Sequence, residues 1–201
     1  MLYIQRIMDE QNGSSPPDSA LVELSRAGDE RAFERLVERY SRRVLSYCQR
    51  MVRYENLAED LAQEIFVKFY LALPRIDTRK AVAPYLFRIA HNHCLDWLRT
   101  RKPKTRPLTR NEDDEKPPMQ LPDTKPNPEQ EVLRGEVMEA VEKALEAVPS
   151  RYRSVLVMRH VEELSYEEIA EALRLPIGTV KARIHRGRER LQQELCDFVS
   201  L

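Results

Sequence analysis

The side chains best placed to do chemistry in this chain would act through charge and hydrogen bonding rather than covalent attack. Between Ile177 and Leu191 stand Lys181, Arg183, Arg186, Arg188 and Arg190 against a single acid, Glu189. On a helix, Lys181, Ala182, His185, Arg186 and Glu189 share one face, flanked by Arg183, Arg188 and Arg190. Guanidinium groups of this kind hold phosphates, while Ala182 and the polar side chains beside it can meet base edges in a groove. A second set lies at Tyr85, Arg88, Asn92 and Arg99. One ring, one amide and two guanidinium groups on a common face suit an unpaired strand. The ring stacks on a base, worth roughly 1–3 kcal/mol, and the arginines neutralise phosphates. Arg101, Lys102, Lys104 and Arg106 continue the positive run with no acid among them. A solvated helix end favoured by the macrodipole would carry the same residues.

Catalytic and metal chemistry find less support. Asp60 and Glu64 lie one helical turn apart and could share an ion in a metal-dependent nuclease, but no third ligand or activated base accompanies them. His91, His93 and Cys94 are spaced by two and one, which puts them on different helical faces and points to structural roles. No enzyme, metal, cofactor or small-molecule substrate is expected. Cys48, Cys94 and Cys196 are odd in number and far apart, which suits reduced thiols in the cytoplasm. No stretch approaches the roughly 18 to 20 apolar residues of a membrane span. The 33 Lys and Arg balance 33 Asp and Glu, so the basic segments are hidden by a neutral sum.

The elements that must position these groups read as helices. Five glycines in 201 residues and 33% charged residues disfavour a turn-rich β fold. Seven of the 13 prolines fall between Pro103 and Pro128, around the acidic run Glu112 to Glu115. That density favours an extended or disordered spacer. The predicted organisation is all-α: a loose tail over 1–18, a helical domain over 19–103, a linker over 104–128 and a second helical domain over 129–201.

In the first domain a helix from Ser19 to Ala27 stops at Gly28. Phe33, Leu36, Val37, Tyr40, Val44, Tyr47 and Met51 then form one apolar stripe. Asn56 with Glu59 is a plausible capping pair for a helix over 57–73, and Pro84 suits the first turn of a fourth helix. On the third helix Ala62, Ile65, Phe66, Phe69 and Leu73 face inward. The opposite face mixes Asp60, Gln63 and Glu64 with Val67 and Leu71. Two aliphatics among carboxylates mark either a docking site or a surface covered by another helix of the same domain.

In the second domain Val132, Val137, Val141, Leu145 and Val148 outline a helix ended at Pro149, and Tyr152, Val155, Leu156 and Val161 outline another. Ser165 with Glu168 forms a capping box, and a tight turn from Arg174 to Pro176 leads into the basic helix. That helix buries Val180, Ile184, Leu191 and Leu195, with Gly187 at a close approach. Short helix, tight turn and basic second helix match a helix-turn-helix.

Four segments in this order, Asp60–Phe66, Tyr85–Asn92, Leu164–Ala170 and Pro176–Arg188, resemble the extracytoplasmic-function RNA polymerase sigma factors, with an overall look similar to the sigma-W-like members. The resemblance covers about residues 19–196. It implies that Asp60, Gln63, Glu64 and Phe66 bind the clamp helices of the polymerase β′ subunit, which would account for exposed Val67 and Leu71. It implies that the loop Ile76–Ala83 and the helix with Tyr85, Arg88, Asn92 and Arg99 melt and read the −10 motif. Thr179, Lys181, Ala182, Arg183, His185, Arg186 and Arg188 would read the −35 motif. The implied partners are core RNA polymerase, through its β′ clamp helices and β flap, promoter DNA, and an anti-sigma protein, often one anchored in the membrane. Arg174 stands where the family often has Gly or Asn, so the turn is expected to be slightly strained. Pro84-Tyr85 replaces the more usual Ser/Thr-Trp. A stand-alone helix-turn-helix regulator is the alternative, but it leaves Asp60–Phe66 and Tyr85–Asn92 without work.

Overall fold

The computed structural model describes residues 16–52, 54–101 and 128–199, with the side chains of 55, 101, 128–136 and 197–199 excepted. The expected linker, the tail as far as 15, and the basic residues 102, 104 and 106 lie outside the described residues. Every regular element described is helical. The first domain holds α1 (Asp18–Arg26), α2 (Glu30–Met51), α3 (Glu55–Ala72), a 3-10 turn (Leu73–Arg75) and α4 (Val82–Arg101). The second holds α5 (Pro128–Ala147), α6 (Ser150–His160), α7 (Tyr166–Leu173) and α8 (Ile177–Val199).

Local chemistry explains most of these boundaries. Gly28 has a φ of 92°, a left-handed conformation that costs glycine nothing. It reverses the chain after α1, and Asp29 then caps α2 by accepting from Ala32 N. The tail boundary moves slightly: Asp18 already begins α1 and anchors it, accepting from Arg39 and from the Tyr40 hydroxyl. Asn56 does not cap α3. Tyr54 is already extended and the helix starts at Glu55 with no side-chain cap, so Asn56 lies inside the first turn. Arg26 reaches across to donate to Leu73 O at 2.7 Å and to Ile76 O, holding the chain as it leaves α3.

The apolar stripes of α2, α3 and α4 meet in a core of Leu36, Val44, Tyr47, Met51, Ile65, Phe69, Leu86 and Phe87. Phe66 is half-buried against that core. In α5 Leu145 and Val148 are buried, whereas Val137 is exposed together with Met138; the side chain of Val132 lies outside the described residues. Helix α6 is buried over its whole middle, from Tyr152 to Met158. A helix buried all round its middle belongs at the centre of a domain, and α6, which buries even Arg153 and Ser154 there, has α8 on one side and α2 on another.

The helix-turn-helix forms as its sequence requires. Glu168 N donates to Ser165 Oγ at 3.1 Å while Ser165 N donates to Glu168 Oε2 at 2.8 Å, completing the capping box. At the other end of α7, Arg174 N donates to Glu171 O and Leu175 N to Ala170 O, the two bonds of a Schellman motif. That motif needs a left-handed residue, and Arg174 supplies it with φ 54° and ψ 46°. A β-carbon at Gly187 would sit 3.0 Å from Leu156 Cγ, so glycine there lets α8 lie directly on α6.

Two predictions follow from these features. Arg174→Gly should raise stability by about 0.5–1 kcal/mol, because relief of left-handed strain exceeds the added chain entropy. An unchanged or lower urea midpoint would refute the strain. The second concerns His91, which is buried and takes the Tyr47 hydroxyl on Nδ1 at 3.1 Å. Burial first, then the positive charges of Arg183 and Arg99, push its pKa down to about 4. The neutral ring therefore contributes stability that is full above pH ~6.5 and is lost as pH falls towards 4, about 3 kcal/mol at most. His91→Gln should flatten urea stability across that window; an unchanged slope would assign the acid sensitivity elsewhere.

Candidate nucleic-acid and partner interfaces

Helix α3 divides its residues between two jobs. Ala58, Leu61, Ala62, Ile65 and Phe69 go to the core. The outward side carries Asp60, Gln63 and Glu64 in solvent, together with Val67 at 60%, Tyr70 at 50% and Leu71 at 71% exposure. Tyr70 rests edge-on against Phe33 of α2, with ring centroids 4.9 Å apart, whereas Val67 and Leu71 stay mostly uncovered by the described parts of the chain. His93 of α4 packs behind this face, with Nδ1 2.5 Å from Lys68 Nζ and Nε2 2.7 Å from the Glu64 carboxylate, a contact without the alignment of a hydrogen bond. An apolar centre with a carboxylate rim is the composition of a protein-docking surface.

On α4, Asn92 and Arg99 are exposed, while Tyr85 and Arg88 are half-buried. The Arg88 guanidinium lies 4.3 Å from the centre of the Tyr85 ring, a cation–π contact that pre-orients both groups. Before α4, Asp77 accepts from the Arg79 backbone and guanidinium. The Arg79 hydrogen bonds lower the Asp77 pKa to about 2. Thr78 donates to Glu23 at 2.7 Å. The loop is therefore organised by polar contacts within itself and to α1.

On α8, Lys181, Ala182, His185, Arg186 and Arg188 are exposed. Their platform is the buried pair Val180 and Ile184 beneath them. Arg188 donates to His160 Nε2 at 3.3 Å, which ties the helix to the end of α6. Thr179 and Arg183 are half-buried. Burial lowers the Arg183 pKa. The recognition candidates thus share one helix, but Arg183 points away from the most exposed part of it.

The residues that sequence reasoning missed join the two domains. Arg153 is buried, and its guanidinium donates to Arg50 O and Met51 O at the end of α2, each at 3.2 Å. The same group donates to Glu146 O and Val148 O near the end of α5. Arg43 of α2 donates to the Glu162 carboxylate at 3.0 Å and to Glu162 O at 2.7 Å. Arg50 pairs with Glu142 at 2.7 Å, and Lys80 with Glu171 at 2.6 Å. The only available sequence signal was an arginine within the apolar run Tyr152–Met158, which a count of charges assigns to solvent.

Comparison with known proteins agrees with this arrangement. The family model for Sigma-70 region 2 matches residues 36–103, and that for Sigma-70, region 4 matches 138–191. The ECF RNA polymerase sigma factor SigW of Bacillus subtilis (strain 168) is 35% identical over 88% of this chain and 96% of its own. The RNA polymerase sigma-H factor of Pseudomonas aeruginosa is 37% identical over 89% and 93%. The ECF RNA polymerase sigma-E factor of Escherichia coli (strain K12) is 33% identical over 90% and 96%. Among solved structures, CnrH in complex with the cytosolic domain of CnrY has the same fold, with a TM-score of 0.67 at 24% identity over 90% of this chain and 97% of that one. The sigma factor RpoE in complex with the anti-sigma factor NepR from Bartonella quintana gives 0.59 at 20% identity, over 81% and 96%. With both family models matched in order and relatives at 33–37% identity aligned over nearly their whole length, the chain belongs to the extracytoplasmic-function family of RNA polymerase sigma factors.

Proposed function

We propose that this chain binds core RNA polymerase through the outward face of α3 and directs transcription initiation at promoters carrying two spaced motifs. The observation that carries the reading is the exposure of Val67, Tyr70 and Leu71 beside Asp60, Gln63 and Glu64, a surface with no work to do in a protein that binds DNA alone. In this reading Phe66 sets the height of that face from below, and the β′ clamp helices supply its partner. The loop 76–83 with Tyr85, Arg88, Asn92 and Arg99 captures unpaired −10 bases. Thr179, Lys181, Ala182, Arg183, His185, Arg186 and Arg188 serve the −35 duplex, with the β flap of polymerase holding the second domain.

The protein makes and breaks no covalent bond in this scheme. Capturing a base out of the stack costs a few kcal/mol, offset by polymerase contacts and by the −35 contact together. One small helix-turn-helix supplies few contacts, so DNA binding without polymerase is weak. The domain division assigns 19–103 to polymerase and −10 binding, 104–128 to the connection and 129–201 to −35 binding. An anti-sigma protein that covers the polymerase-binding surface, often one anchored in the membrane, would regulate it in the cytoplasm. One structural relative, RpoE of Bartonella quintana, was solved with the anti-sigma factor NepR bound.

The test is initiation in vitro from a genomic promoter library with purified core polymerase, with transcript 5′ ends mapped. Initiation should be confined to a small set sharing two motifs at fixed spacing. An inactive polymerase on every template, with specific duplexes shifted by the protein alone, would make it a conventional regulator instead. Leu71→Asp should weaken polymerase binding about tenfold or more, as removal of an interface anchor does. Its fold stability should change by no more than about 0.5 kcal/mol, because the side chain is exposed. Lys181→Ala should relax base preference in the −35 motif by about 1–3 kcal/mol at one position. A uniform loss across all sequences would instead make Lys181 a phosphate contact.

A further inference from the structure

We propose that His93 is a positioning residue for polymerase binding: from behind the docking face of α3, it aims the Glu64 carboxylate at a basic group of the partner. The inference rests on the reading of that face as the polymerase-binding surface and deepens it. His93 is none of the residues assigned above to polymerase, to the −10 strand or to the −35 duplex, yet it meets the docking helix at two charged groups.

Three observations put the ring in that role. Glu64 and Lys68 stand one helical turn apart on α3. His93 reaches both from α4, with Nδ1 2.5 Å from Lys68 Nζ and Nε2 2.7 Å from Glu64 Oε2. An ammonium can only donate, so Nδ1 accepts from Lys68 and the proton of the neutral ring sits on Nε2, the side that faces Glu64. The second observation is that Nε2 is buried and has no aligned acceptor. A buried N–H in this state is unfavourable. The third is the contrast in exposure, 61% for the Glu64 side chain against 13% for that of His93. The carboxylate can turn about its own torsions while the ring is held between two helices.

The contact is therefore incomplete in the free chain and is completed on docking. When a basic group of polymerase settles against Glu64, water leaves the carboxylate and its hydrogen bonds strengthen in the drier surroundings. A small turn of the Glu64 side chain then aligns Oε2 with the Nε2 proton, while the other oxygen faces the partner cation. One movement satisfies both the incoming cation and the orphaned ring nitrogen. A neutral donor suits this task because it orients the carboxylate without cancelling the charge that the partner recognises. Lys68 in turn keeps Nδ1 occupied, so the ring cannot turn its acceptor towards Glu64.

The test is competition of full-length variants against labelled wild-type chain for purified core polymerase, with the urea midpoint of each free variant measured alongside. An asparagine amide can stand in for Nδ1 of histidine, and a glutamine amide nitrogen for Nε2, so the two variants separate the Lys68 contact from the Glu64 contact. His93→Gln should bind within about twofold of wild type. His93→Asn and His93→Leu should bind about tenfold more weakly, the loss expected for one hydrogen bond to a charged group. His93→Leu should hold or raise the urea midpoint, since it removes an unsatisfied buried donor. In a Glu64→Ala chain, adding His93→Leu should weaken binding by no more than about a further twofold. Wild-type binding by His93→Leu, retention by Asn rather than Gln, an undiminished loss in the Glu64→Ala chain, or binding losses that track losses of stability would each overturn the proposal. If Glu64→Ala and Leu71→Asp both bind core polymerase as wild type does, the docking reading fails and the proposal with it. If those two weaken binding and His93→Leu does not, the docking reading stands and only the role of His93 is rejected.

Discussion

The architecture depends on a single buried cation and the helix ends that surround it. A helix finishes with carbonyls that have no partner within it, and two such ends, those of α2 and α5, meet at the Arg153 guanidinium. Arg153 could not be buried without those carbonyls, and the helix ends could not approach each other in a dry interior without the cation. The geometry around it places α6, buried from Tyr152 to Met158, at the centre of the molecule. From α6 outward, α8 takes its seat through Gly187 on Leu156, and α2 brings the first domain with it. One side chain therefore sets both the internal frame of the helix-turn-helix domain and its position against the rest.

Around that frame the chain separates apolar and charged surface with little waste. Helix α3 buries one face and displays the other. The basic residues of α8 stand on buried Val180 and Ile184. Net neutrality coexists with this because the positive charge of α8 is balanced by acids elsewhere in the chain, four of them on α3 and six on α5. For a protein that must bind both another protein and DNA, the distribution of charge carries the information that the sum conceals.

Much of this was legible in the residue order. Helical periodicity alone located the stripe of α2, the inward face of α3 and the outward position of Val67 and Leu71, because each depends on neighbours within the same helix. Ser165 with Glu168 located the start of α7, since a capping box is a contact over three residues. Gly187 was readable as a close approach because a glycine within a helix has few other reasons to be there. Local rules failed where two local signals competed: Asn56 resembled a cap, but the chain at Tyr54 had already taken the extended conformation that precedes a helix. They also failed wherever the cause lay far away in sequence. Nothing near Arg153 announces Arg50 O or Met51 O, and nothing near Arg43 announces Glu162. The packing of α7 from the other domain across α4 has the same distant origin.

The seat of α8 has a consequence for how such a protein can diversify. Its orientation is fixed from beneath, by the contact of Gly187 with Leu156 and by Val180 and Ile184 in the core. Lys181, Ala182 and His185 project from the opposite side into solvent. Substitutions at those positions leave the seat intact, so binding preference can drift through many variants that all fold equally well. Gene duplication could then yield paralogues with separate target sets in few mutational steps, each inheriting the same scaffold without having to stabilise it anew.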